Sequence, residues 1–121
     1  GCDDSHDEQF EDFLALENQL KGLRTTSGMP YRLLRLPMPD AIYDEGERLP
    51  ATYANFLIIN GAVICPTYAQ PEKDRRALQT IAQAYPYREI IGIDARTVIR
   101  QHGSLHCLTM QFPQGVIANN P

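Results

Sequence analysis

Asn55-Phe56-Leu57-Ile58-Ile59-Asn60-Gly61-Ala62-Val63-Ile64-Cys65-Pro66 holds two apolar runs joined by an Asn-Gly pair. Asn-Gly is the strongest two-residue hairpin signal, because both turn positions then take positive φ. The stretch reads as two strands, Asn55 to Ile59 and Ala62 to Cys65. Downstream, Pro71 to Ala84 has helical spacing. Pro71 suits a first turn, Ala77, Leu78, Ile81 and Ala82 share one face, and Pro86 prevents continuation. Arg88 to Ile93 reads as a third strand. Hairpin, helix and strand make a ββαβ unit of an α/β fold. Phe56, Ile58, Val63, Leu78, Ile81 and Ile91 are its expected core.

Toward the N-terminus, Ser5-His6-Asp7-Glu8 has the form of a capping box. Phe10, Phe13, Leu14 and Leu20 follow at helical spacing, so Asp7 to about Lys21 is an expected amphipathic helix. Tyr31 to Leu36 is an expected strand, closed by Pro37 and Pro39. The acidic stretch from Asp40 to Pro50 is a long loop, either a solvated connector or a functional rim. Toward the C-terminus, Asp94 can cap a short helix from Ala95 to Arg100 or Gln101, with Gly103 as its stop. Leu105 to Gln111 is a final expected strand, and residues 114–121 are expected to be a loosely held tail.

The 121 residues suit one domain, and 43% apolar content can build its core. A net charge of −4 with scattered Lys and Arg argues against nucleic acid as a partner. No apolar run approaches the ~20 residues that span a bilayer, so no membrane partner is expected. The acidic N-terminus does not read as a signal peptide. Three widely spaced cysteines, Cys2, Cys65 and Cys107, suggest neither a disulfide framework nor a zinc site. A reduced, cytoplasmic protein is expected. Cys65, at the end of an apolar strand, reads as a buried small hydrophobe.

Gly103-Ser104-Leu105-His106-Cys107-Leu108-Thr109 places a thiol just after a Gly-Ser turn. Upstream lie Ile90-Ile91-Gly92-Ile93-Asp94-Ala95-Arg96 and Leu49-Pro50-Ala51-Thr52-Tyr53-Ala54-Asn55-Phe56. This ordered set resembles the C-terminal part of the agmatine deiminase and bacterial peptidylarginine deiminase family, within the guanidine-modifying superfamily. The similarity is strongest from Leu34 through Gln111. It implies a pentein-type α/β propeller, in which ββαβ units surround a central active site. Residues 1–121 would then be the C-terminal part of such a domain, without its N-terminal units. The resemblance also carries the cysteine nucleophile to Cys107 and a substrate-binding position to Asn55. Two departures stand out. The family commonly has three glycines before its His-Cys pair, whereas Gln101, His102 and Gly103 stand here. Met110 also stands where a glutamine is usual.

The reaction so implied is hydrolysis of agmatine to N-carbamoylputrescine and ammonia. A guanidinium carbon is a poor electrophile because its charge is delocalised. Carboxylates orient the cation, a thiolate attacks the central carbon, and a general acid protonates the departing ammonia. Water then hydrolyses the thiouronium-like adduct. No cofactor or metal is needed. An ordinary thiol is only a few per cent ionised at neutral pH, so nearby donors or positive charge are required.

Without the resemblance, Cys107 would read as buried strand filler. Asn55 would read as a cap to the hairpin strand, and Gly103 as a helix stop. With it, Gly103 lets backbone approach the substrate. His106 is rejected as the base of Cys107, because neighbours on a strand point to opposite faces. Thr109 shares the Cys107 face. His102 and His106 have a metal-binding spacing, but Gly103-Ser104 breaks any helix that would align them. The family's catalytic histidine and guanidinium-binding carboxylates have no counterpart in residues 1–18, so the isolated chain is expected to be catalytically silent. The small-molecule substrate is agmatine, with a peptidyl- or free-arginine deiminase as the alternative. From another class, the chain could be a non-catalytic interaction or assembly module. A homo-oligomer is compatible with either reading.

Overall fold

The computed structural model describes residues 2–117. The chain forms helix α1 (Phe10–Gly22), a small hairpin of β1 (Tyr43–Asp44) and β2 (Glu47–Arg48), strands β3 (Leu57–Ile59) and β4 (Ala62–Thr67), helix α2 (Pro71–Ala84) and strand β5 (Glu89–Asp94). Two 3-10 turns follow, Val98–Gln101 and His106–Leu108. The sheet order is β3-β4-β5, with β3 antiparallel and β5 parallel to β4. Helix α2 makes the crossover that a parallel pair requires. The expected ββαβ unit is therefore present.

Its core follows from the register. Val63 pairs with Ile90 and Ile64 with Ile91. Alternation along a strand then puts Val63 and Ile90 on one face and Ile91 on the other. Val63, Cys65 and Ile81 are buried, with Phe56, Ile58, Leu78, Tyr85 and Ile90 packed around them. Ile91 is 37% exposed, so the expected core is corrected at that position to Ile90. A second cluster was not legible from periodicity. It joins Leu49, Tyr53, Tyr68, Ala77, Ala95 and Ile99, which come mostly from loops and turns.

Four further expectations are corrected. The doubly positive turn lies at Glu45-Gly46 (φ 49° and 85°), inside the stretch read as a long loop; at Asn60-Gly61 only Gly61 has positive φ. Tyr31–Leu36 forms no ladder among the described residues. It lies between Pro30 and Pro37, each without the N–H a ladder needs. The Ser5 capping box does not form; α1 begins only at Phe10, and Asp7 Oδ1 instead accepts the Gln9 N–H at 2.9 Å. No residue of α1 is buried. Its apolar side, including Phe13, Leu16 and Leu20, borders an open groove of about 730 Å³ against residues 32–39. The expected tail is described only to residue 117, where the Val116 N–H donates to the Pro113 carbonyl.

Asp74 ties the second core together. Its carboxylate accepts from the Tyr53 hydroxyl at 2.7 Å, the Tyr68 N–H at 3.0 Å and the Gln70 N–H at 2.9 Å. It thereby satisfies backbone donors at the entry to α2. The Tyr53 phenol is pushed well above its ordinary pKa by burial and by the adjacent Asp74 carboxylate. Asp74→Ala orphans all three donors. It is expected to lower stability by about 2–3 kcal/mol, read as a lower urea midpoint at unchanged m.

Candidate functional site

Asn55 precedes β3, and Cys107 lies in the last 3-10 turn, 52 residues later. The fold brings them together. The Asn55 amide Nδ2 donates to Cys107 Sγ at 3.3 Å, and its Oδ1 accepts the His106 N–H at 2.8 Å. One planar amide thus grips both the thiol and the backbone that carries it. Geometry of this kind requires an amide, because a single side chain must donate and accept at once.

The Cys107 thiol is exposed. Its pKa is held below the ordinary thiol value, chiefly by the Ser104 backbone and then by the Asn55 amide, against the effect of burial. The Asn55 amide donates to sulfur, and a donor favours its anion. The other cysteines differ. Cys65 is fully buried, and burial pushes its thiol up to about 11. Cys2 is also buried, with its thiol directed at the Asp4 carbonyl at 3.4 Å.

Gly103 abuts the nucleophile candidate. A Cβ at this position would stand 3.3 Å from Cys107 Cβ and 3.9 Å from Sγ. The absence of a side chain therefore makes room for Cys107. Gly103 is not the helix stop that was expected. His102 takes that place, with φ at 63° and its N–H bonded to the Ile99 carbonyl at 3.0 Å.

Leu105 to Gln111 is not a strand. His106–Leu108 forms a 3-10 turn, and Leu108 N–H and Thr109 N–H bond to the Leu105 and His106 carbonyls. Local i→i+3 bonding replaces the expected ladder. The strand argument used to set His106 apart from Cys107 therefore falls. The His106 backbone joins the site through Asn55, and its ring is exposed. Thr109 Oγ1 donates to the His106 carbonyl at 2.8 Å and closes the turn. His102 stands 3.7 Å from Glu47 Oε2, and among the described residues no group of three or more His, Cys, Asp or Glu is placed to hold a metal ion.

Periodicity could not have found Ser104 or Tyr68, although both support the site. Ser104 is 2% exposed, between the Gly103 gap and Cys107. The Tyr68 hydroxyl donates to the Thr52 carbonyl at 2.9 Å and accepts the Thr52 N–H at 3.0 Å, three residues before Asn55. The only sequence signal was their closeness to the motifs. The Cys107 thiol is exposed and Asn55 is half-buried.

Known proteins share this arrangement of elements. A Porphyromonas gingivalis protein provisionally named an arginine deiminase is 56% identical and superposes with a TM-score of 0.90; the match covers 94% of this chain and 33% of that one. The C. jejuni agmatine deiminase is 42% identical with a TM-score of 0.78, over 88% of this chain and 31% of its own. The agmatine deiminase of Pseudomonas putida is 30% identical, over 94% of this chain and 36% of the relative. The chain thus spans about a third of the length of the relatives it matches. These likenesses support the pentein-type α/β architecture expected from the sequence. No helix among the described residues is long and apolar enough to cross a membrane. The family model for Porphyromonas-type peptidyl-arginine deiminases matches residues 1–113. With an exposed, donor-supported thiol set in the matching fold, the chain belongs to the Porphyromonas-type peptidyl-arginine deiminase family.

Proposed function

We infer that this chain is the C-terminal part of an amidine hydrolase that converts agmatine and water to N-carbamoylputrescine and ammonia. One observation carries the reading. The exposed Cys107 thiol is held by the Asn55 amide at 3.3 Å, and its pKa is lowered. In this reading Cys107 Sγ attacks the guanidinium carbon. As that bond forms, the C–N bond to the leaving nitrogen breaks, and a general acid from elsewhere in the enzyme protonates the departing ammonia. Asn55 and the Ser104 backbone stabilise the thiolate before attack. Gly103 leaves the approach to Cys107 unobstructed. Water then adds to the same carbon, the C–S bond breaks, and the carbamoyl product leaves as the thiol is restored.

Relatives named agmatine deiminase support this substrate. A cysteine-to-serine variant of the C. jejuni agmatine deiminase has been solved with its substrate bound; it is 41% identical over 87% of this chain. Arg48, Arg96 and Arg100 are each paired with carboxylates, on Asp7 and Glu8, Asp94, and Asp44. Arg48 and Arg96 each have both arms of the guanidinium fork engaged in this way, so neither offers a fork to a substrate carboxylate. The second reading is a deiminase of peptidyl or free arginine. The description of the matching family and the name of the 56% identical relative favour it. Three free thiols suit a reducing cytoplasm.

Ammonia release by the complete enzyme, compared for agmatine, arginine and a peptidyl-arginine, tests the assignment. Agmatine should give the highest kcat/KM. A preference for peptidyl-arginine would replace the first reading with the second. The 121-residue chain by itself is expected to release no ammonia from agmatine above the buffer rate. The reason is that groups acting as a unit lose nearly all rate when separated. Turnover by the isolated chain that Cys107→Ala removes would contradict this.

A further inference from the structure

The turn that carries Cys107 is tied to the rest of the fold by two side-chain amides. Residues 106–117 are all exposed, so apolar burial does not hold them down. Among the described residues, three hydrogen bonds join this segment to distant parts of the chain. Asn55 makes two of them, to the His106 N–H and to Cys107 Sγ. Gln111 makes the third: its Nε2 donates to the Ile58 carbonyl at 2.5 Å. The backbone bonds at Leu108, Thr109 and Val116 are local and only close turns.

Both anchors lie on one fixed stretch of chain. Phe56 and Ile58 pack against the buried Val63, Cys65 and Ile81, which holds residues 55–58 to the main core. β3 is an outer strand of the sheet, and an outer strand turns half its carbonyls away from the ladder. The Ile58 carbonyl is met by a side chain, that of Gln111. Asn55 therefore holds the turn at His106 and Cys107, and Gln111 holds it four residues beyond the sulfur. With the first clamp alone, the exposed segment is free to pivot about Asn55. The bond to sulfur, a weak acceptor, is then the first to open.

We propose that Gln111 is a positioning residue: its amide pins the far end of the Cys107 turn to the outer strand β3, and so holds Cys107 Sγ against the Asn55 amide. Gln111 makes no bond to the thiol and acts through Asn55. Losing the Gln111 donor leaves the Ile58 carbonyl to water and releases the far end of the turn. The Asn55–Cys107 bond then opens more often, and the thiolate loses its side-chain donor. The inference rests on the reading of Cys107 as the nucleophile.

Its test reads the thiol alone and needs no turnover, so its failure is distinct from failure of the proposed activity. The rate of Cys107 alkylation by iodoacetamide is followed against pH by peptide mapping in the complete enzyme. Gln111→Met keeps an unbranched side chain of similar length and removes the donor. Its alkylation midpoint should move up by about half a pH unit. The rate at neutral pH should then be about twofold lower, once the greater nucleophilicity of a less acidic thiol is counted. Gln111→Ala should behave alike, and it stands in should Gln111→Met fail to fold. A double-mutant cycle separates positioning from general loosening. In an Asn55→Ala background the Gln111 substitution should shift the midpoint no further, because the donor it positions is already gone. An unshifted midpoint in the folded Gln111 variant overturns the proposal. A full shift that persists without Asn55 does so too, because Gln111 would then reach the thiol by another route.

Discussion

Replacing Cys107 by alanine or serine in the complete enzyme is expected to lower ammonia release by on the order of 10⁴-fold or more, with the fold intact. The loss is this large because the thiolate makes the covalent bond on which every later step depends. Neither remaining cysteine can substitute. Cys65 is fully buried, with its thiol pushed up to about 11, and Cys2 is buried as well. Serine is no replacement, since a hydroxyl is far less acidic than a thiol and far less nucleophilic at neutral pH. A haloacetamidine, which mimics the guanidinium, should label Cys107 and inactivate the enzyme in step with labelling. Peptide mapping that placed the adduct on Cys65, or retained activity in Cys107→Ser, would remove the central claim. As pH falls through the lowered pKa of Cys107, the thiolate is protonated. Labelling should fade at a lower pH than it does for an ordinary thiol.

Asn55→Ala is expected to cost about 10²–10³ in kcat, by analogy with loss of a preorganised donor at a reacting centre. The alanine removes both the donor to Cys107 Sγ and the acceptor for the His106 N–H. Asn55→Asp separates these effects. A carboxylate still accepts the His106 N–H, so the turn keeps its anchor. It cannot donate to sulfur, and it places negative charge where the amide stood 3.3 Å from Sγ. Like charges disfavour the thiolate, so the Cys107 alkylation midpoint should rise further in Asn55→Asp than in Asn55→Ala. A midpoint in Asn55→Asp equal to that of the natural chain would show that the amide holds backbone only. The role of Asn55 would then shrink to that of a turn anchor.

The ββαβ unit was readable from residues 55–93 because its signals are local. Apolar runs, a turn with Gly61 at positive φ, Pro71 at a helix start and the Ala77–Ile81 stripe each act within a few residues. Where a signal needed a distant partner, the reading failed. Tyr31–Leu36 has the composition of a strand, but an extended segment becomes a strand only when another strand meets its N–H and carbonyl groups. Leu105–Gln111 alternates well enough on paper, yet the Asn55 side-chain oxygen Oδ1 captures the His106 N–H, and the chain turns through Leu108 instead.

The sequence by itself determined the chemistry on offer: a thiol after a Gly-Ser turn, an amide before a hairpin, and a family in which those residues belong together. Only the tertiary structure decided what they do to each other. It brought Asn55 within 3.3 Å of a sulfur 52 positions away, made His102 rather than Gly103 the left-handed stop, and buried Ser104. Periodicity reports which face of an element is apolar. Hydrogen bonds between loops depend on where both loops end, and that is settled by the packing of Tyr53, Tyr68 and Ile99 into one core.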